Sequence, residues 1–440
     1  MFFYYLRLAL SAFQKNVLIT LLMILAIGFG VGASMTTYAV FKAVSGDPIP
    51  GKSTKLFIPQ IDIWGPGMAQ QTNGQPPDAL SYIDAKALIS AHKGRHESPI
   101  YPVSPSVVPH VAQLHPINID GHAVYGDFFS MLDVPFVYGS GWGAEDDKRH
   151  APVATISSSL NNKLFAGINS VGKTINLDGR EYTIMGVMGD WSPQPRYYDV
   201  INTGGFSSKS DDVFIPFNHA IDVEMPINGT VNCSVHPTEP GIQGLRNAGG
   251  CAWISYMVEL DDPLSRDQYS QFLYNYSKEQ QYSGRFNWAP NNRLRDLPAW
   301  LDFQHVVPSD TKVSLFVAIG LLVVCLVNTA GLLNAKLSHR RGEVAVRRAL
   351  GAPLSQIYKQ FLTEAGTIGA AGGLLGIIFT VLGVRSIGWV LPKNISDIAH
   401  VDLPLLVLTL IVAIVSTLLA GMYPTFSASR VQPALQLKAG

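Results

Sequence analysis

NVLITLLMILAIGFGVGASMTTYAVF, Asn16 to Phe41, contains no Asp, Glu, Lys or Arg. About 20 apolar residues are needed for a helix to cross ~30 Å of hydrocarbon, and this window is long enough. A secretory signal also places an apolar run behind a mildly basic start. This run outlasts a signal h-region, however, and no clear small-x-small cleavage site follows it, so it reads as a retained anchor. Three more windows are equally free of charge: Val313 to Ala335, Ala365 to Val384 and Leu403 to Ser429. They account for a composition of 47% hydrophobic and 15% charged residues, too apolar for an ordinary soluble chain of 440 residues. The sequence therefore predicts an α-helical membrane protein with four transmembrane helices and a large α+β extracytoplasmic domain between the first and second.

Orientation follows from where the short loops carry Lys and Arg. Between the second and third windows lie Lys336, Arg340, Arg341, Arg347, Arg348 and Lys359 against Glu343 and Glu364, while Arg385 to Asp402 is short and balanced. The basic loop is expected in the cytoplasm, together with both termini. The expected boundaries are spans at 16–41, 312–335, 363–385 and 403–426, an extracytoplasmic domain at 42–311, a basic segment at 336–362, a short outside loop at 386–402 and a cytoplasmic tail at 427–440.

Within the outside region, strand-helix-strand patterns at both ends predict an α+β lobe from about 53–126 and 251–305, with a β-richer lobe inserted at about 127–250. GINSVGKT, Gly167 to Thr174, matches the phosphate-loop pattern at every specified position. That chemistry needs a strand before the loop and a helix after it. Here SSSLNNKLFAG reads as a helix before the loop, and INLDGREYTIMGVM as a hairpin around Asp178-Gly179 after it. The stretch also falls outside the cytoplasm, where ATP is scarce, so a glycine turn is the expected reading. Cys233 and Cys251 flank a Pro- and Gly-rich segment in an oxidising compartment and are expected to form a disulfide, two free thiols being the alternative. Cys325 reads as a packing residue within a span. His92 and His96 are four apart, but Gly94 and the expected helix end argue against a metal site. With 32 basic and 32 acidic residues there is no nucleic-acid footprint.

HRRGEVAVRRALGAPLSQIYKQFLTE, His339 to Glu364, reads as a short helix, a stop at Gly351 and a second helix opened by Pro353. Leu354, Ile357, Tyr358 and Phe361 are expected to share one face of that second helix. Arginines obeying the positive-inside rule and touching headgroups would explain the charge, but not the Gly-Ala-Pro turn or the embedded Glu343. Gly28 and Gly32 in the first span, and Gly369 with Gly373 and Gly372 with Gly376 in the third, have small-xxx-small spacing that allows close helix approach. Asn328 and Asn334 are expected to serve as interhelical hydrogen-bonding groups.

The run from Asn328 to Gly376 around that segment resembles the signature of MacB/FtsX-type ABC transporter permeases. YPTFSASRVQPALQLK resembles the family's C-terminal end. SLNNKLFAGINSVGKTINLDGREYTIMGVMGDW resembles the MacB-like periplasmic core, which has its own Gly-Lys-Thr turn at this place. The resemblance implies a cytoplasmic amphipathic N-terminal helix at 1–15 and a coupling segment at 336–362. Arg340, Arg341, Glu343, Arg347, Arg348, Leu350 and Gly351 would there dock on an ATPase. No nucleotide-binding domain is read in this sequence, so the resemblance implies a separate ABC ATPase subunit that binds ATP and Mg, with no cofactor or metal on this chain. It further implies a second permease copy or sibling, membrane lipid, a bacterial inner-membrane location and, for an exporter, a membrane-fusion protein with an outer-membrane channel. Pro353 departs from the family's Ser or Thr after the Gly-Ala turn. Two functions fit: extrusion of a peptide, antibiotic or lipoprotein-like substrate, or FtsX-like signalling to an extracytoplasmic hydrolase or sensor. The large outside domain favours extrusion.

Overall fold

The computed structural model describes residues 17–108, 116–207, 210–307, 309–390 and 401–429. The expected helix at 1–15, most of the loop at 386–402 and the tail from 430 lie outside the described residues. The chain divides into two compact units, one of residues 1–46 with 307–440 and the other of Asp47–Val306.

In the first unit, four helices among the described residues are long and apolar enough to cross a membrane: Val17–Ser45, Asp310–Ser338, Leu354–Ile387 and Leu403–Phe426. We call the helices that contain them α1 (Val17–Ser45), α7 (Ser309–Ser338), α9 (Leu354–Val390) and α10 (Leu403–Ser429). Small residues let these helices approach closely. A Cβ on Gly32 would lie 2.5 Å from the Phe379 side chain, and one on Gly369 would lie 2.9 Å from Thr417 and 3.1 Å from the Ala413 carbonyl. Gly28 meets Leu375 and Gly373 meets Leu410 at similar range. Such contacts supply the van der Waals packing that substitutes for hydrophobic driving force in lipid.

The second unit is a mixed α/β domain. Its strands are β1 (Leu56–Gln60), β2 (His96–Val103), β3 (Ser106–Val107), β4 (Ile117–Asn118), β5 (Gly121–Val124), β6 (Phe136–Gly139) and β7 (Val153–Ser157). They continue with β8 (Thr174–Leu177), β9 (Arg180–Met188), β10 (Val213–Pro216), β11 (Asn232–Cys233), β12 (Cys251–Ala252), β13 (Ser255–Glu259) and β14 (Arg293–Asp296). One sheet runs β14-β1-β13-β2-β5-β10-β7-β9-β8-β3-β4, with β6 also on β9. Pairing is antiparallel except for β5 with β10 and β7 with β9. Strand residues alternate between two apolar clusters. Phe57, Tyr101, Ala123 and Ile215 enter one, and Ile58, Ile100, Val124 and Phe214 the other. That period of two, with both sets buried, means that the sheet is covered on both faces.

Helices α2 (Tyr82–Ala91), α4 (Ser158–Phe165), α5 (Phe217–Asp222) and α6 (Pro263–Tyr282) pack on the first face, while α3 (Ala144–Lys148) lies beside α5. The expected seams at 126/127 and 250/251 have no matching break in the sheet. β5 pairs on one side with β2 and on the other with β10, and each apolar cluster draws on both expected lobes. An edge left open at β5 would expose backbone donors and acceptors, and β10 satisfies them.

One polar knot sits inside this core. His122, on β5 and 1% exposed, lies 3.1 Å from Asp199 and 3.2 Å from Asp211. Arg196 and the Tyr198 hydroxyl also bind Asp211. Burial alone would lower the His122 pKa, but the two carboxylates outweigh it and push it up to about 9.

Candidate functional site

Two places could transmit or receive a signal: the basic segment between α7 and α9, and the polar loops of the extracytoplasmic domain. In the basic segment, α8 spans Arg341–Ala349. It ends in a Schellman motif, with Ala352 N–H on the Arg347 carbonyl at 3.1 Å and Gly351 N–H on that of Arg348 at 3.0 Å. Gly351 has φ +90°, which disfavours any residue with a Cβ, and open space surrounds it. Pro353 follows, and α9 then runs without interruption from Leu354 into the third span.

The inner face of α8 is fixed in two ways. Val344 joins Leu337, Ile357 and Phe361 in a buried apolar cluster. Above it runs a chain of charges. Lys336 Nζ lies 2.6 Å from Glu364 Oε1 and 3.1 Å from Thr20 Oγ1 of α1. Arg340 Nη1 is 3.0 Å from Glu364, and its Nε is 3.1 Å from Glu343. Glu343 accepts from Arg347 at 2.6 Å, and Arg347 also donates to Gln360 at 2.7 Å. Burial would lower the Arg340 pKa, but its two carboxylates raise it, so the guanidinium stays charged.

The outer side carries the exposed apolar residues Val346 and, at the helix end, Leu350, which is 83% exposed, and Leu354 is exposed at the start of α9. The seven coupling residues read from the sequence thus divide by position. Arg340, Glu343 and Arg347 turn toward the bundle, Gly351 forms the turn, Leu350 projects outward and Arg348 is partly exposed. The side chain of Arg341 lies outside the described positions. Ile357 and Phe361 are buried as expected of a shared face, whereas Leu354 is exposed because it stands in the first turn, ahead of the packed region. Sequence reading missed Lys336 and Glu364 as a buried pair. The sequence shows only that each charge stands at the edge of an otherwise uncharged window, which does not pair them.

In the outside domain, the apparent phosphate loop lies between α4 and β8. Gly172 N–H donates to the Ile184 carbonyl at 2.8 Å and Lys173 N–H to that of Ser170 at 3.0 Å. Those backbone donors are committed internally, and the Lys173 ammonium lies over the Phe165 ring. Cys233 and Cys251 form a disulfide across β11 and β12. His92 caps the end of α2 while His96 opens β2, so the two rings are not on one helix face.

Four membrane-length helices, a basic surface hairpin and a large extracytoplasmic α/β domain define a multi-pass permease body. Residues 20–271 match the MacB-like periplasmic core domain and residues 315–433 the FtsX-like permease C-terminal domain. The chain belongs to the MacB/FtsX-type ABC transporter permease family. Relatives are distant. The macrolide export ATP-binding/permease protein MacB of Azoarcus sp. (strain BH72) is 24% identical over 98% of this chain and 58% of that protein. The pyoverdine export ATP-binding/permease protein PvdT of Pseudomonas aeruginosa is 24% identical over 73% of this chain and 43% of that protein. The uncharacterized ABC transporter permease YvrN of Bacillus subtilis (strain 168) is 23% identical over 74% of this chain and 72% of that protein. The chain thus spans little more than half the length of the MacB relative.

Proposed function

We propose that this chain is the membrane body of an exporter, receiving motion from an ABC ATPase on a separate polypeptide and passing it to the extracytoplasmic domain, which acts on cargo there. On this reading the basic hairpin and both termini face the cytoplasm of a bacterial inner membrane, and ATP and Mg bind the partner. The observation that carries it is the two-faced build of α8. Its inner face is tied to the spans, while its outer side offers Val346 and, just past its end, Leu350 to a cleft, with Leu354 exposed at the start of α9. Lipid contact alone would not require the helix to be held by a five-residue chain of charges. Export is favoured over signalling because two relatives that match this chain are export proteins, named for two different cargoes.

A second permease copy completes the assembly. Asn328 is exposed on the outer side of α7, flanked by the exposed Val324 and Val327. An amide facing hydrocarbon is unfavourable, and a facing copy would give it a hydrogen-bonding partner. The docking test is Leu350→Asp. It should leave insertion intact, because the side chain touches nothing it must support, and abolish co-purification of the ATPase. Retention of the ATPase with full stimulated hydrolysis would remove this helix as the coupling element.

A further inference from the structure

A cavity of about 510 Å³ opens in the extracytoplasmic domain between α2, α3 and α5. That volume falls in the range of small-ligand pockets. Its charges differ in how they are satisfied. The side chains at its rim are paired: Arg95 with Asp261 at 2.8 Å, Lys148 with Glu145 at 2.8 Å, and the His150 ring with Asp222. The cation at its floor is not. Lys86 Nζ donates to the Asn218 amide oxygen at 3.1 Å, and among the described residues no carboxylate lies within 4.0 Å of it.

The other polar groups of the floor are bonded to one another and to the backbone. Asn218 Nδ2 donates to the Tyr125 hydroxyl at 2.8 Å and to the Asp147 carbonyl at 3.0 Å. The Asp147 carboxyl, 3% exposed, accepts from Gly126 N–H at 2.8 Å and Trp142 Nε1–H at 2.9 Å. Lys86 is therefore held in place by a fixed amide and makes no direct ion pair, with Asp222 and Asp147 acting on it only from longer range.

We propose that this cavity binds a small organic monocarboxylate, with Lys86 donating to its carboxylate and the Tyr125–Asn218 pair fixing the ammonium that receives it. A monoanion is the fitting class. Glu97, Asp127 and Asp147 line the same cavity as Lys86, Arg95 and Lys148, so a second negative charge on the ligand would meet repulsion. Ile89 and Ala144 supply apolar wall for the rest of the molecule. Burial lowers the Lys86 pKa, the direction expected of an ammonium that a bound anion would stabilise.

The test uses the full chain in detergent micelles with hippurate as the probe, followed by ligand-observed NMR. Hippurate should bind saturably, and its uncharged amide should bind at least about tenfold more weakly, the factor for losing one charge-assisted hydrogen bond. Lys86→Met should weaken hippurate by a similar factor with an unchanged melting temperature, and Lys86→Gln provides a second reading should the methionine perturb folding. Lys148→Met, at the paired rim, should bind as the parent does. Equal binding of hippurate and its amide, parent-like binding by folded Lys86→Met, or no saturable binding would each overturn the assignment. Displacement of hippurate by inorganic phosphate at lower concentration would overturn the monocarboxylate class.

Discussion

Glu364→Gln tests whether the chain of charges behind α8 holds the hairpin to the membrane bundle. Glu364 is 3% exposed and accepts from Lys336 at 2.6 Å and Arg340 at 3.0 Å. The glutamine keeps the shape and removes the charge. Lys336, fully buried, then loses its Glu364 carboxylate while remaining in a low-dielectric site. Removing one member of a buried pair costs about 3–5 kcal/mol, because the remaining charge is uncompensated. Lys336→Met is expected to cost roughly half as much, since Glu364 keeps Arg340. Replacing both by methionine should recover part of the loss, because no orphaned charge is left between them and Arg340 retains Glu343.

For a body of this size each kcal/mol shifts the melting temperature by about 2–4 °C, so Glu364→Gln should lower it by about 10 °C. Size-exclusion recovery after heating detergent-solubilised protein measures this. ATPase binding should survive, since the outer face of α8 is untouched, but stimulated hydrolysis should fall. The reasoning is refuted if Glu364→Gln melts within about 2 °C of the parent, or if the single and double replacements are equally damaging.

Two further outcomes are expected. The His122 pKa is raised from 6.5 to about 9, so its stabilisation is fully present below pH 6.5 and lost as pH rises through 9. That is worth about 3 kcal/mol, and His122→Gln should melt lower at pH 6.5 and lack the decline between pH 6.5 and 9; an equal decline in both proteins would assign it elsewhere. In a Cys325→Ala background, Asn328→Cys should yield a disulfide-linked dimer on mild oxidation of membranes, and a monomer alone would argue against pairing through this face of α7.

Much of this architecture was legible because membrane insertion imposes a simple rule on sequence. Each uncharged window became one long helix, since hydrocarbon leaves backbone groups no partner except each other. Gly351 and Pro353 likewise announced the turn, because each residue type has a narrow backbone preference. The glycine turn at Gly172 was readable from the order of elements around it, despite a pattern that suggests a nucleotide. What could not be read was pairing over distance. Lys336 and Glu364 lie on different helices, and it is the packing of both α7 and α9 against α1 and α10 that brings them together. The continuity of the sheet across β5 and β10 was hidden for the same reason, because strand order is set by which edges meet rather than by any local pattern. Nothing local to Lys86 in the sequence signals the cavity that α2, α3 and α5 form around it.

The position of the ion chain bears on how force could travel in the proposed mechanism. α8 is tied through Arg347 to Gln360, and through Arg340 to Glu364, both on α9. Glu364 binds Lys336 of α7, which in turn reaches Thr20 of α1. Three membrane helices therefore meet the hairpin through short, mutually supporting contacts, and α9 has no break between its surface-level start at Leu354 and Val390. The Gly351 turn is the place where a hinge would be expected, yet the contacts on either side of it join α8 to α9 directly. A partner that displaced α8 would accordingly move α9 with it instead of bending the turn. Loosening the turn by Gly351 replacement and loosening the ion chain by Glu364→Gln should then differ. The first alters how α8 is presented to a partner, and the second leaves presentation intact while uncoupling it from the spans.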